Sequence, residues 1–173
     1  DRKLNFVDCP DPDDFIGDVI TALNVTDTAL MVLNSHYGLE VTTVNQLRYT
    51  RDLKKPVIFI VNHLDDEKAD FDNVVSQLKS DYGDKAVIVQ YPVNAGPEFN
   101  AVVDVLKNKM YRWKPEGGEP EILDIPDSEK EKAAELHQKL VEAAAENEES
   151  LMEKFFDQGS LSEDEMRMGI RWG

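Results

Sequence analysis

The sequence predicts an α/β fold, a parallel sheet with helices on both faces, joined to a mostly helical appendage with a short β element. Three observations carry this. Ala29-Leu30-Met31-Val32-Leu33 and Pro56-Val57-Ile58-Phe59-Ile60-Val61 are apolar throughout, as strands buried on both faces are. Helical apolar spacing alternates with these runs. The last third of the chain then changes character, from about residue 99 to residue 173.

In order along the chain, Leu4 to Asp8 reads as a short strand ending in an acidic residue. Phe15 to Asn24 places Phe15, Val19, Ile20 and Leu23 at helical spacing. The run from Ala29 is a strand, and Val41 to Leu53 reads as a helix. Pro56 introduces the next strand at the position where a missing N–H does no harm. Asp72 to Tyr82 is a helix with Val74, Val75, Leu78 and Tyr82 on one face, stopped by Gly83. Ala86 to Val89 reads as another strand. Strand and helix in alternation imply crossover units. Ligands of such sheets sit at the carboxyl ends of the strands.

Asn100 to Trp113 reads as one or two strands, and Lys114 to Pro120 is a turn-rich connector. Ser128 and Glu131 have capping-box spacing before a helix whose buried stripe is Leu136, Leu140, Ala143 and Ala144. Leu151, Met152, Phe155 and Phe156 form a shorter helix ended by Gly159. Ser162 and Glu165 make a second capping box, with Met166 and Ile170 inside. The expected division is residues 1–98 for the sheet domain and 99–173 for the appendage. No closing strand precedes Gly173, and the first strand is of a kind that sits mid-sheet, so the chain is expected to be part of a longer domain.

The 173 residues carry a net charge of −16. That argues against direct binding of nucleic acid by the chain's own surface. It suits either a basic protein partner or plain solubility. No stretch is long and apolar enough to span a bilayer. The single Cys9 forms no internal disulfide, so a reducing, cytoplasmic compartment is expected. Carboxylates beside Cys9 disfavour a reactive thiolate.

Two loops carry candidate chemistry. In Asp8-Cys9-Pro10-Asp11-Pro12-Asp13-Asp14, four carboxylates flank a Pro-rich turn. They suit a hard cation, or simply the positive end of the following helix. In Asn62-His63-Leu64-Asp65, an amide and a carboxylate leave a buried strand together. Such a pair can read an amidine-like base edge, or it can form an Asx-rich turn that caps the next helix. His36 and Tyr37 follow the first apolar strand, in a loop expected to be structural, and His137 in the long helix is expected to be packed or exposed.

The two loops together resemble a GTPase, and the surrounding text resembles bacterial elongation factor G. Asn5 to Pro10 and Phe15 to Val19 are similar to that family's N-F-[IV]-D-x-P-G-H-x-D-F-x-G-[DE]-V. Val57 to Asp65 resembles its guanine-reading strand and loop. Ile125-Pro126, His137, Leu140 to Glu146 and Leu151 to Lys154 resemble its insert subdomain. Val19 to Asp27 and Trp113 to Gly118 resemble the divergent second copy found in Bacteroides-like bacteria.

The resemblance implies a partial P-loop-GTPase-like sheet and an insert at 99–173. It implies GTP or GDP with magnesium as ligands of the intact protein, and ribosomal translocation as its role. The nucleotide residues would be Asp8, Cys9, Pro10, Asp11, Pro12, Asn62, His63, Leu64 and Asp65, with Asp8 reaching the metal through water. The family's phosphate loop and first switch would precede Asp1, and its last guanine motif would follow Gly173.

Two retained motifs depart from the pattern. Asp11 stands for the glycine whose N–H meets the γ-phosphate, and a carboxylate there opposes phosphate. Pro12 stands for the family's catalytic histidine and has no group to orient water. His63 stands for a lysine whose stem covers the base. The chain alone is therefore expected not to hydrolyse GTP. The alternative is a non-catalytic module whose insert docks on the ribosomal stalk. An uncovered sheet edge also predicts self-association.

Overall fold

The computed structural model describes residues 3–10 and 13–172. The chain forms two compact units, Asp1–His63 and Leu64–Gly173.

In the first unit, a short 3-10 turn at Asp13–Phe15 leads into α1 (Ile16–Val25). Strand β1 (Ala29–Asn34), helix α2 (Val41–Asp52) and strand β2 (Val57–Asn62) follow. β1 and β2 pair in parallel, from Ala29 opposite Val57 to Asn34 opposite Asn62. The amide of Ala29 also donates to the Pro56 carbonyl at 2.9 Å, and Lys55 Nζ ties the Thr26 carbonyl at 2.7 Å. The proline thus sits immediately before the strand, where no ladder N–H is required. Among the described residues, Leu23, Leu33 and Leu47 are the buried apolar side chains of this unit.

Two expectations fail here. Leu4 to Asp8 forms no strand, and Leu4 and Phe6 are about three-quarters exposed (74% and 78%). A strand exists only where its N–H and C=O groups meet a ladder, and among the described residues β1 pairs with β2 alone. Second, the apolar runs are not buried on both sides within this unit. Leu30, Val32, Ile58 and Ile60 are all exposed, while Met31, Leu33, Phe59 and Val61 turn the other way. Successive side chains of a strand point to opposite faces, so one whole row is left open.

In the second unit, α3 (Phe71–Tyr82) is capped by Asp70, whose side chain accepts the Asn73 N–H at 2.9 Å. The helix ends at Gly83, and a 3-10 turn follows at Gly83–Lys85. β3 (Gln90–Pro92), β4 (Ala101–Asp104), β5 (Lys109–Arg112) and β6 (Glu121–Leu123) form an antiparallel sheet in chain order. Three helices close the unit: α4 (Lys130–Glu146), α5 (Glu149–Gln158) and α6 (Glu163–Trp172).

The expected strand at Ala86–Val89 is not formed. Pairing begins at Gln90, in an antiparallel sheet. Val87 and Ile88 instead pack half-buried against the core of Tyr91, Val103, Val105, Met110, Leu136 and Leu140. The expected 98/99 boundary lies in the loop between β3 and β4, and by compactness the chain forms the units Asp1–His63 and Leu64–Gly173.

A second core joins Val141, Ala144 and Ala145 of α4 to Leu151, Leu161 and Met166. Gly159 stops α5 in a left-handed conformation (φ 68°), its N–H reaching the Phe155 carbonyl at 2.7 Å. Glycine takes that backbone without a Cβ penalty.

The two expected capping boxes have different outcomes. At α6 the box is made: Ser162 N–H donates to Glu165 Oε2 at 2.9 Å, and the Glu165 N–H faces Ser162 Oγ at 3.4 Å. Lys154 pairs with the same carboxylate. These contacts hold the Glu165 carboxyl down to about 2, the Lys154 ammonium first and Ser162 next. At α4 the box is not made. A turn from Glu129 N–H to the Pro126 carbonyl (2.9 Å) moves the helix start to Lys130, with Glu129 at the cap position. Ser128 is then one residue too early to cap it.

Candidate functional site

The carboxyl ends of β1 and β2 lie side by side, so the turn after each strand is where a ligand of this sheet belongs. Asn62 is the last residue of β2 and is exposed. His63 follows with φ 59°, in the left-handed region. Non-glycine residues seldom adopt that backbone, although Asn, Asp and His do so more than most.

The turn is tied to β1 by one residue. The Ser35 N–H donates to the Asn62 carbonyl at 2.9 Å, and the Ser35 hydroxyl donates to the His63 carbonyl at 2.6 Å. On the β1 side, the Asn34 side chain accepts the His36 N–H at 2.9 Å and the Gly38 N–H closes on the Asn34 carbonyl at 2.9 Å. The His36 and Tyr37 rings lie 4.5 Å apart at 50°.

The chain continues into the second unit through Leu64, whose carbonyl accepts the Gly96 N–H at 2.7 Å. Asp65 is exposed. The capping work that an Asx-rich turn offers falls on other residues. Asp66 accepts the Lys68 N–H at 2.8 Å, and Asp70 caps α3. The Asn62 amide belongs to the strand end of the first unit, and the Asp65 carboxylate lies three residues on in the chain, in the second unit. An amide and a two-oxygen carboxylate suit a planar ligand edge with adjacent N–H donors.

The other loop is described only in part. Asp8 and Pro10 are exposed and Cys9 is half-buried, without regular backbone structure. Asp11 and Pro12 lie outside the described residues. Among the described residues, no group of three or more His, Cys, Asp or Glu side chains is placed to hold a metal ion. No described helix is long and apolar enough to cross a membrane. His137 is held by its backbone surroundings, with Nδ1 2.8 Å from the Val105 carbonyl. A carbonyl accepts only, so Nδ1 carries the proton and donates.

Sequence reasoning missed Ser35, which lay inside a loop read only as structural. The available signal was a small hydroxyl residue immediately after an apolar strand.

Comparison with known proteins adds three findings. The model of the elongation factor Tu GTP binding domain matches residues 1–160. An elongation factor G-like protein of Thermotoga maritima is 33% identical over 172 residues, which is 99% of this chain and 24% of that protein. A crystal structure of a protein from Thermus thermophilus superposes with a TM-score of 0.76 at 26% identity, covering 92% of this chain and 25% of that one. The chain therefore spans about a quarter of the length of these relatives.

Proposed function

The chain belongs to the family of elongation factor Tu GTP-binding domains, and from that premise we propose that it is the guanine-reading part of an elongation factor G-like translocase. The observation that carries this reading is the turn Asn62-His63-Leu64-Asp65 at the carboxyl end of a parallel strand, with capping duties assigned elsewhere. The Asp65 carboxylate accepts from the N–H groups of guanine, the Asn62 amide braces the base edge, and His63 covers part of its plane. GTP or GDP is the ligand, with magnesium on its phosphates. Asp8 reaches the metal through water, and Cys9, Pro10, Asp11 and Pro12 line the phosphate end.

Among the described residues, no Lys-Ser or Lys-Thr loop follows a strand to cradle phosphates. Pro12 also offers no side-chain donor or acceptor to orient water. GTP turnover is therefore proposed for the intact protein only. In the intact protein, residues 99–173 are the insert that meets the ribosomal stalk, in the cytoplasm. The resemblance to the Bacteroides-type second copy supports assigning the parent to that branch.

A second reading, a stalk-docking module without turnover, has its own support. On α5, Phe156 is 77% exposed among Glu149, Glu153 and Asp157, an apolar spot in an acidic field that suits a basic, apolar partner.

Binding of a fluorescent GDP analogue to the chain and to Asp65→Asn separates the readings. GDP binding that Asp65→Asn abolishes, with xanthosine diphosphate now preferred, supports base reading, because an amide N–H donates where guanine also donates. Equal binding by both forms refutes it. Binding of isolated stalk protein with no nucleotide binding at all favours the docking module.

A further inference from the structure

We propose that Ser35 is the positioning residue of the guanine-reading turn. This deepens the reading above and rests on it. Ser35 is fully buried (0% exposed). A buried hydroxyl requires a partner, and this one finds the carbonyl of His63, 28 residues away. Its own N–H takes the carbonyl of Asn62. One residue after β1 thus grips two consecutive carbonyls of the β2 turn, one through backbone and one through side chain.

The second grip falls where the turn is hardest to hold. His63 lies at φ 59°, and a residue with a Cβ keeps such a backbone only when its surroundings fix it. The peptide that carries the His63 carbonyl also sets the direction in which the chain leaves the strand. Without the hydroxyl bond, His63 relaxes toward ordinary backbone. The Asn62 amide and the His63 ring then lose their fixed direction at the strand end. The backbone bond to Asn62 survives any substitution at position 35 except proline, so the hydroxyl is separable from the ladder.

The test uses Ser35→Ala and Ser35→Cys, the latter filling the hydroxyl's space with a weak donor. Thr50→Ala serves as control, since its buried hydroxyl bonds the Leu47 carbonyl at 2.8 Å within α2. For each, affinity for a fluorescent GDP analogue, preference for guanine over xanthine diphosphate, thermal midpoint and the NMR backbone signals of Asn62 and His63 are measured. Expected is an affinity loss of about tenfold, the worth of one hydrogen bond, and reduced base preference in both Ser35 variants, with displaced His63 signals. Thr50→Ala is expected to lower the midpoint and leave base preference intact. GDP binding within about twofold of the parent in Ser35→Cys, well short of one lost hydrogen bond, or an equal loss of preference in Thr50→Ala, overturns the proposal. If the parent binds no guanine nucleotide, the base-reading function falls. Ser35 is then judged on the NMR signals alone, and His63 signals unchanged in both Ser35 variants overturn its positioning role too.

Discussion

Gly169 on α6 packs directly on the backbone of α4. A Cβ placed there would stand 2.2 Å from the Ala144 carbonyl oxygen, 2.7 Å from its carbonyl carbon and 2.9 Å from its Cα. Ordinary contact begins near 3.4 Å, so Gly169→Ala forces the two helices apart by about 1.2 Å. The obstruction is backbone, which has no rotamer to escape into. Parting the helices loosens the cluster of Val141, Ala144, Leu161 and Met166. It also stretches the bond from Asn147 Nδ2 to the Gly169 carbonyl, now 3.1 Å. Overpacking of this kind costs about 1–3 kcal/mol, and the strained hydrogen bond adds about 1 kcal/mol. Against this, alanine gains about 1 kcal/mol over glycine in a helix interior. The net expectation is a loss of about 1–3 kcal/mol, a fall in thermal midpoint of roughly 2–12 °C. Melting followed by far-ultraviolet circular dichroism reads it directly. Because the obstructing atoms are backbone, Ala144→Gly does not rescue the variant. A midpoint for Gly169→Ala equal to or above the parent's refutes the close approach of α4 and α6.

Three further outcomes are expected. The Glu165 carboxyl, held down to about 2 by Lys154 and Ser162, contributes fully above the ordinary carboxylate range and loses its contribution as pH falls through about 2. Glu165→Gln is therefore less stable than the parent near neutral pH, and a gap that stays constant in acid titration down to about pH 2 contradicts this. Asp70→Ala removes the α3 cap and lowers stability by about 1 kcal/mol in urea unfolding, whereas an unchanged midpoint means that the Asn73 N–H finds another acceptor. The exposed row Leu30, Val32, Ile58 and Ile60 is expected to make the chain self-associate. Light scattering should show mass rising with concentration, and Val32→Lys with Ile58→Lys should abolish the rise. A parent that stays monomeric at high concentration removes the idea.

Features that depend on neighbours within a turn or two could be read from the residues alone. α2 begins at Val41 and α3 ends at Gly83 as their apolar spacing and glycine stop require, and Gly159 ends α5. The Ser162–Glu165 box forms because its two residues lie three apart at a helix start, with no competing turn before them. Asn62 and Asp65 are a candidate pair from their spacing after an apolar strand, and their role is what the guanine-nucleotide assay tests. Tertiary structure decided whatever needs a distant partner. Leu4–Asp8 and Ala86–Val89 have the composition of strands, but a strand is defined by the ladder beside it. The first finds none among the described residues, and the second yields to a pairing that starts at Gln90. The run from Pro126 to Glu129 shifted the start of α4 past Ser128. The grip of Ser35 on the Asn62–His63 turn spans 28 residues. Periodicity reports which face a side chain takes, whereas only the folded chain brings a hydroxyl at the end of one strand to a carbonyl at the end of the next.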